Sequence, residues 1–379
     1  MMGAGLAGAQ EVDTGVRAAV STLFDDNLLR GNDLRRIAGK SDVRTTPTLD
    51  INVSRARGRY RVFLRGDAGY DFHRTNTQLN AERIGLSAGA RLAVGGFCGI
   101  GVTTRIDRRQ VDVGDLGTAE RNRLKGETLE VEGSCPRTAG LYPVVSASYR
   151  KLDNSSLRRQ AFDLQAYSVT AALAYRRPSI GTISLFYSHA LFDRPQWSMF
   201  GLTNDNRTRV QEAGLRWERA VAARLHGSLS VSAVATNPPT PGVRDFRGVG
   251  WRATLSWLPS PATTLTAETN REVRADSSFG AAYLVFDAAS ITATRRIGHR
   301  TTLEGQAALV KRDLRGETDV LGLPLRGSDR TTNLSLGLSY DLGRRTRLST
   351  EIAHSDRDAA NPLYDFGSTR IGLRAGYRF

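Results

Sequence analysis

Along much of the chain, apolar and polar side chains alternate one by one. Between Thr369 and Phe379, Ile371, Leu373, Ala375, Tyr377 and Phe379 share one parity, and Arg370, Gly372, Arg374, Gly376 and Arg378 share the other. A strand sends successive side chains to opposite faces, so this segment predicts a strand with one oily face and one face of three guanidinium groups. The same period recurs upstream. Leu334, Leu336, Leu338 and Tyr340 alternate with Ser335, Gly337 and Ser339, and Trp251, Ala253, Leu255 and Trp257 alternate with Arg252, Thr254 and Ser256. Tyr60, Val62 and Leu64 alternate with Arg61, Phe63 and Arg65. No long stretch carries a helical stripe, and no run of about 18 apolar residues offers a transmembrane helix.

The alternation predicts about 18 strands, at 14–24, 43–56, 58–71, 80–94, 97–107, 121–136, 141–151, 161–176, 180–190, 206–219, 222–235, 247–258, 262–273, 281–296, 300–313, 328–342, 345–357 and 367–379. Short connections such as 56–59, 95–96 and 298–299 alternate with long polar ones such as 25–42, 108–120 and 314–327. That is the layout of an all-β, antiparallel up-and-down barrel spanning a bacterial outer membrane, with short turns toward the periplasm and long loops outside. An even strand count puts both termini on the periplasmic side. Tyr175, Trp217, Trp257, Tyr340 and Tyr377 share the apolar parity and end strands that lead into short turns or the terminus; with Phe379 they predict a periplasmic aromatic girdle. Phe24, Tyr70, Tyr149, Tyr187 and Trp251 predict the opposite girdle. A soluble β-sandwich capped by aromatics is the competing reading, but so many long strands favour closure, which removes exposed edges.

Composition sharpens this picture. The 379 residues are 40% hydrophobic with a mean hydropathy of −0.34 and a formal charge of +15. The arginines are spread over strands and turns instead of clustering on a patch or arm, which argues against nucleic acid as a partner. The first ten residues, with Ala7-Gly8-Ala9 as a small-x-small pattern, read as the remnant of a signal peptide or a disordered N-terminus. Residues 1–13 are assigned to that segment and 14–379 to the barrel.

On the polar parity, Arg17, Arg61, Arg65, Arg370, Arg374, Arg378 and Glu351 are expected to line the lumen, with pairs such as Arg374–Glu351 formed across neighbouring strands. The basic excess gathers where the last, first and third strands meet after closure, which would make one wall of a channel positive. Cys98 and Cys135 share the outward face at the turn-side ends of adjacent strands, so they are candidates for a disulfide, the alternative being two free thiols. The five histidines have no metal-ligand spacing, and neither a metal nor a cofactor is expected. Asp25-Asp26-Asn27 could ligate calcium or be a polar turn. His354-Ser355-Asp356 stands near a rim where some barrels hold a lipase or protease site, yet adjacent strand residues point to opposite faces. Phe192, Trp197 and Phe200, with Pro195 and Met199, are read as a loop that packs on itself, stacks on sugars or narrows a pore.

The terminal Phe, with an aromatic two residues earlier, resembles the signal that outer-membrane barrels present to their insertion machinery, which makes that machinery an implied partner beside membrane lipid. Phe24-Asp25-Asp26-Asn27, then Ser41-Asp42, then Pro47 ahead of an alternating strand, resemble the start of an outer-membrane β-barrel family often called beta-barrel porin type two. The likeness in layout extends over nearly the whole chain. Its members are often encoded near exopolysaccharide-secretion genes, so the resemblance implies an outer-membrane location and export of a polysaccharide, or assistance to a secretion partner. The expected function is a channel passing hydrophilic solute. A plugged structural or partner-binding barrel and a barrel enzyme of lipase or protease type are the alternatives.

Overall fold

A computed structural model of the chain describes residues 11–32, 34, 40–111, 120–196, 207–238, 243–275, 281–317 and 325–379. Its strands follow the alternating segments. The first six are β1 (Glu11–Asp25), β2 (Asp42–Arg57), β3 (Tyr60–His73), β4 (Ala81–Val94), β5 (Cys98–Gln110) and β6 (Arg123–Ser134). The next six are β7 (Gly140–Asn154), β8 (Leu164–Arg177), β9 (Gly181–Asp193), β10 (Thr208–Ala222), β11 (Leu225–Asn237) and β12 (Arg247–Ser260). The last six are β13 (Thr263–Arg274), β14 (Tyr283–Ile297), β15 (Thr301–Arg315), β16 (Ser328–Asp341), β17 (Thr346–Ala359) and β18 (Phe366–Arg378).

All 18 strands form one antiparallel sheet in sequence order, and pairing of β1 with β18 closes it. Both ends of the sheet are therefore consumed, and no edge is left to pair with another chain. The strands run from 12 to 16 residues. At about 3.3 Å per residue and a tilt near 45°, even the shortest spans roughly 28 Å along the barrel axis, enough for a hydrocarbon core.

The eight short connections hold at most the five residues 135–139, and the nine long ones lie at the other end of the barrel. Gly58, Gly95 and Gly298 turn the chain at short connections with φ of 56°, 63° and 66°. That left-handed region costs a glycine nothing and any β-branched residue a great deal. Pro259 lies within β12 at the one register irregularity of its pairing with β13, between Trp257 and Ser260, where a missing N–H interrupts little.

The burial pattern inverts that of a soluble protein. Leu334, Leu336, Leu348, Ile352, Ile371 and Leu373 all stand outward and exposed, as do Leu64, Leu86, Val102, Leu173, Leu185, Leu215, Leu229 and Ile291 on other strands. A water-soluble surface does not carry an apolar band of this extent, so the solvent of the outer face is lipid. Tyr175, Trp257, Tyr340, Tyr377 and Phe379 are exposed on this face at the turn-side end, with Trp217 beside them opposite Leu229 and Ile183. Tyr377 and Phe379 meet edge-on at 5.2 Å. Phe24, Tyr70, Tyr149, Tyr167 and Tyr187 stand outward nearer the long loops, where Tyr149 and Tyr167 lie 5.0 Å apart.

Among the described residues, two buried hydrophobic clusters lie at the loop end, while Tyr142 and Ala174 are buried as cross-strand partners nearer the short turns. Leu29 of the first long loop packs on Leu79 of the second, with Leu28 against them. Ala282, Tyr283 and Val285 pack with Val243, Phe246 and Val273.

The two faces of one strand should respond oppositely to charge. Leu336→Arg places a guanidinium in lipid at mid-strand and should cost about 2–4 kcal/mol, whereas Ser335→Arg, one residue away on the inner face, should cost little. Urea titration of the heat-modifiable folded band on gels measures both; equal sensitivity would contradict the assignment of faces.

Candidate functional site: a polarised lumen

The inner face is built from the polar parity. Arg17 lies directly opposite Arg378 on β18 and Asp50 on β2, and Asp50 lies opposite Asp67 on β3. Arg61 faces Arg91. Arg65 donates from Nε to Asn52 at 3.2 Å, and Arg370 donates to the Ser355 hydroxyl at 3.4 Å. Glu351 stands opposite Gly372 on the same face. The expected Arg374–Glu351 pair is replaced by another: the Arg374 guanidinium reaches over β1 to the Asp50 carboxylate, 3.6 Å away. Its neighbours on β1 are Ala19 and Ser21, too short to block that reach, and a two-strand span lies outside any adjacent-strand rule.

The lumen is consequently uneven. From β17 through the seam to β5 the inward positions include Arg347, Arg370, Arg374, Arg378, Arg17, Arg61, Arg65, Arg91 and Arg105. Across from them, β8–β16 present hydroxyls, among them Ser168, Thr170, Ser188, Ser230, Thr254, Thr292 and Ser335, with Arg176, Arg216, Arg252 and Arg296 and the carboxylates Glu212, Glu218, Glu268 and Glu304 set among them. Several arginines on this wall are partly neutralised: Arg91 meets Glu132 at 3.6 Å and Arg347 holds Asp341 through two hydrogen bonds of 2.7 and 3.0 Å. Phe63 turns inward over Gly89, where a Cβ would come within 2.4 Å of the ring, and Arg65 lies 5.3 Å from the same ring.

The loop-side mouth is tied by buried polar side chains. Asp25, Asp26 and Asn27 are committed to this work and not arranged around an ion. Asp25 accepts from Ser368 at 2.8 Å and pairs with Arg30 at 3.2 Å. Asp26 accepts from the Thr369 backbone at 2.8 Å, and the Asn27 amide donates to the carbonyls of Gly31 and Gly367. The triplet thus clasps the first loop to β18 across the seam. Among the described residues no group of His, Cys, Asp and Glu is placed to hold a metal ion.

Asp42 does the same for the second loop. It accepts from the backbone of Thr75 and Asn76 and from the Asn76 amide, and lies 3.1 Å from His73 Nδ1. Burial alone would raise its pKa, but these donors and the Val43 N–H hold it below the ordinary carboxylate range. Burial lowers His73 below the ordinary histidine range, against the opposing pull of Asp42.

On the hydroxyl side, the fully buried Arg194 donates to the carbonyls of Ala281 and Ala282 at 2.5 and 3.3 Å, and the Thr208 hydroxyl donates to Ala282. β10 and β14 are four strands apart, about 19 Å along the sheet, so segment 281–282 leans across the mouth to make these contacts. Nothing in the sequence pattern singled out Arg194, because its partners lie more than 80 residues away. Phe192 belongs to β9, opposite Thr208 and Ala166, and not to the loop; Trp197, Met199 and Phe200 lie outside the described residues.

The other sequence candidates separate. His354 is on the outer face, bonded to Thr369 Oγ1 at 3.1 Å, while Ser355 is buried on the inner face and donates to Asn333 at 2.7 Å. Strand parity keeps them apart, as it must for neighbours. Cys98 and Cys135 are joined in a disulfide at the turn-side end of the β5–β6 ladder.

The comparisons with known proteins agree with this geometry. Residues 16–379 match the family described as Putative beta-barrel porin 2, and the chain belongs to that family. No curated protein matches it in sequence. Its fold is similar to that of OccK2 (OpdF) of Pseudomonas aeruginosa, at 11% identity over 98% of this chain and 99% of that one, with a TM-score of 0.52. The outer membrane protein OpdK of the same organism is similar at 12% identity over 97% and 99% of the two chains, TM-score 0.51. OccAB3 of Acinetobacter baumannii is similar at 11% identity over 97% and 100%, TM-score 0.50. The chain is thus a bacterial outer-membrane β-barrel of porin type.

The rim should loosen in acid. With both groups depressed, the opened state takes up protons more readily than the packed one. The Asp42–His73 contribution is complete above about pH 6.5, declines below it as an unpacked histidine would protonate, and loses the carboxylate's share once pH falls below about 3.9 and on through the depressed Asp42 value. Hydrogen exchange at residues 74–80 should accelerate between pH 7.5 and 5.5 after correction for intrinsic rates; unchanged protection would contradict it.

Proposed function

We propose that this barrel is a channel for hydrophilic solutes across the outer membrane, with the short turns and both termini in the periplasm and a lumen that favours anions. The observation that carries the reading is the inner face: polar or charged positions on all 18 strands, with arginines most numerous from β17 to β5. A barrel of this strand number is wide enough for water unless loops fill it. Rows of guanidinium groups along one wall bias passage toward anions. Short turns on one side and long loops on the other support the orientation, since barrels of this class enter from the periplasm with the turns trailing. Insertion would use the terminal strand and its aromatic end.

Carbohydrate acids are a reasonable solute class. OccK2 of Pseudomonas aeruginosa, similar in fold, has been crystallised in complex with glucuronate. For this chain, arginines facing a wall of serine and threonine hydroxyls suit a sugar that carries a carboxylate: the guanidinium takes the acid and the hydroxyls replace the sugar's hydration. An acidic exopolysaccharide passing outward, alone or with a secretion partner, fits the same wall.

Purified protein reconstituted into a planar bilayer should open discrete, long-lived conductance steps. Complete absence of conductance, with the folded band intact, would favour the plugged partner-binding barrel, for which the contacts of Arg194 with segment 281–282 at the loop-side mouth supply the rationale.

A further inference from the structure

The turn-side mouth holds a concentration of charge that transport along a wall does not require. A cavity of about 530 Å³ opens between the β16–β17 turn, the β14–β15 turn and the β18–β1 seam. Seven arginines and His299 line it, with Asp341 as the one carboxylate. Asp341 is already held by Arg347, and Arg374 is held by Asp50 in the adjoining cavity. Arg300, Arg344 and Arg378 therefore face this space with no ion pair among the described residues, and Arg17 joins them from beside Asp50, its cross-strand partner on β2.

Two features make this a built arrangement. Arg17 and Arg378 are direct cross-strand partners. Such positions have Cβ atoms about 4.5–5.5 Å apart, and like charges there repel unless an anion sits between them. Beneath them the floor is bare: Gly376 lies opposite both Arg347 and Ala19. A Cβ at Gly376 would make only ordinary van der Waals contact, with Ala19 at 3.7 Å, so the floor admits a side chain without a clash. The arginines are exposed, and one exposed charge contributes little on its own. An ion that reaches several of them at once gains from each, and guanidinium donates paired hydrogen bonds to carboxylate or phosphate.

We propose that this mouth is a binding site for a small multivalent oxyanion, one carrying two or more carboxylate or phosphate groups. The site takes the inner face to be hydrated, as the channel reading does, and holds solute at the periplasmic opening under that orientation. Its test passes no current, so the two readings fail separately.

The full-length barrel in detergent is titrated calorimetrically with citrate, pyrophosphate and acetate at constant ionic strength. Citrate, pyrophosphate or both should saturate at one per barrel, and acetate should not; which of the two binds identifies the carboxylate or the phosphate source. The Arg17→Ser/Arg378→Ser double variant should weaken binding by about tenfold or more, the loss expected for charge-assisted bonds. Gly376→Asp, which sets a carboxylate on the bare floor, should do the same and serves if the double variant does not fold. Arg158→Ser/Arg330→Ser removes the same formal charge from the loop side and should leave affinity within about twofold. Absence of saturation, or equal weakening in this loop-side variant, would overturn the site in favour of diffuse attraction to a chain of charge +15.

Discussion

In hydrocarbon a peptide N–H or C=O has no water to bond, and every other property of this molecule follows from meeting that demand with strands. Each strand must be paired on both sides, so the sheet has to close, and closure falls on β1 and β18. That ladder is the shortest contact β1 makes: it pairs with β2 from Glu11 to Asp25 but with β18 only from Arg17 onward. Further hydrogen bonds reinforce it at both ends, from side chains at one and from the backbone at the other. The Asp25–Arg30–Ser368 cluster and the Asn27 amide lock the loop end, and the Phe379 N–H donates to the Val16 carbonyl at the turn end.

Closure also decides the chemistry. With backbone groups satisfied within the sheet, side chains are free to answer two solvents, lipid outside and water inside, and strand parity distributes them. The outer face needs only apolar bulk and aromatic rims. The inner face is where this chain has its own character: arginines are most numerous at the seam and its neighbours, while on β8–β16 fewer arginines stand among hydroxyls and glutamates. Of the carboxylates on or beside the basic wall, Asp50, Glu132 and Asp341 each hold an arginine, while Asp67 and Glu351 stand on the same face.

Parity is a local property, so the barrel could be read from sequence. The 18 strands, their order and the closing seam follow from segments such as 334–340 and 369–379, where every second residue declares its face. Two kinds of contact could not be read that way. Long side chains reach past their immediate neighbours, as Arg374 does to Asp50, and an adjacent-strand rule misses them. Loops meet across the mouth, as Arg194 does with Ala281 and Asp42 with Asn76, and no period links such residues. The Phe24-Asp25-Asp26-Asn27 and Ser41-Asp42 segments resemble family motifs, and Asp25-Asp26-Asn27 also resembles a calcium-ligand set; their hydrogen bonds give them a structural task, pinning the first two loops. Phe192 looked like a loop residue because Asp193-Arg194-Pro195 follows it, yet its pairing with Thr208 keeps it in the sheet.

The central claim is that parity places the arginine wall in contact with permeating ions. The most direct measurement is the reversal potential of the reconstituted barrel under a KCl gradient, for the native chain and for Arg65→Ser/Arg374→Ser. The account predicts a potential on the chloride side of zero that moves toward zero in the variant. A potassium-side potential, or one that the two substitutions leave unchanged, would contradict it.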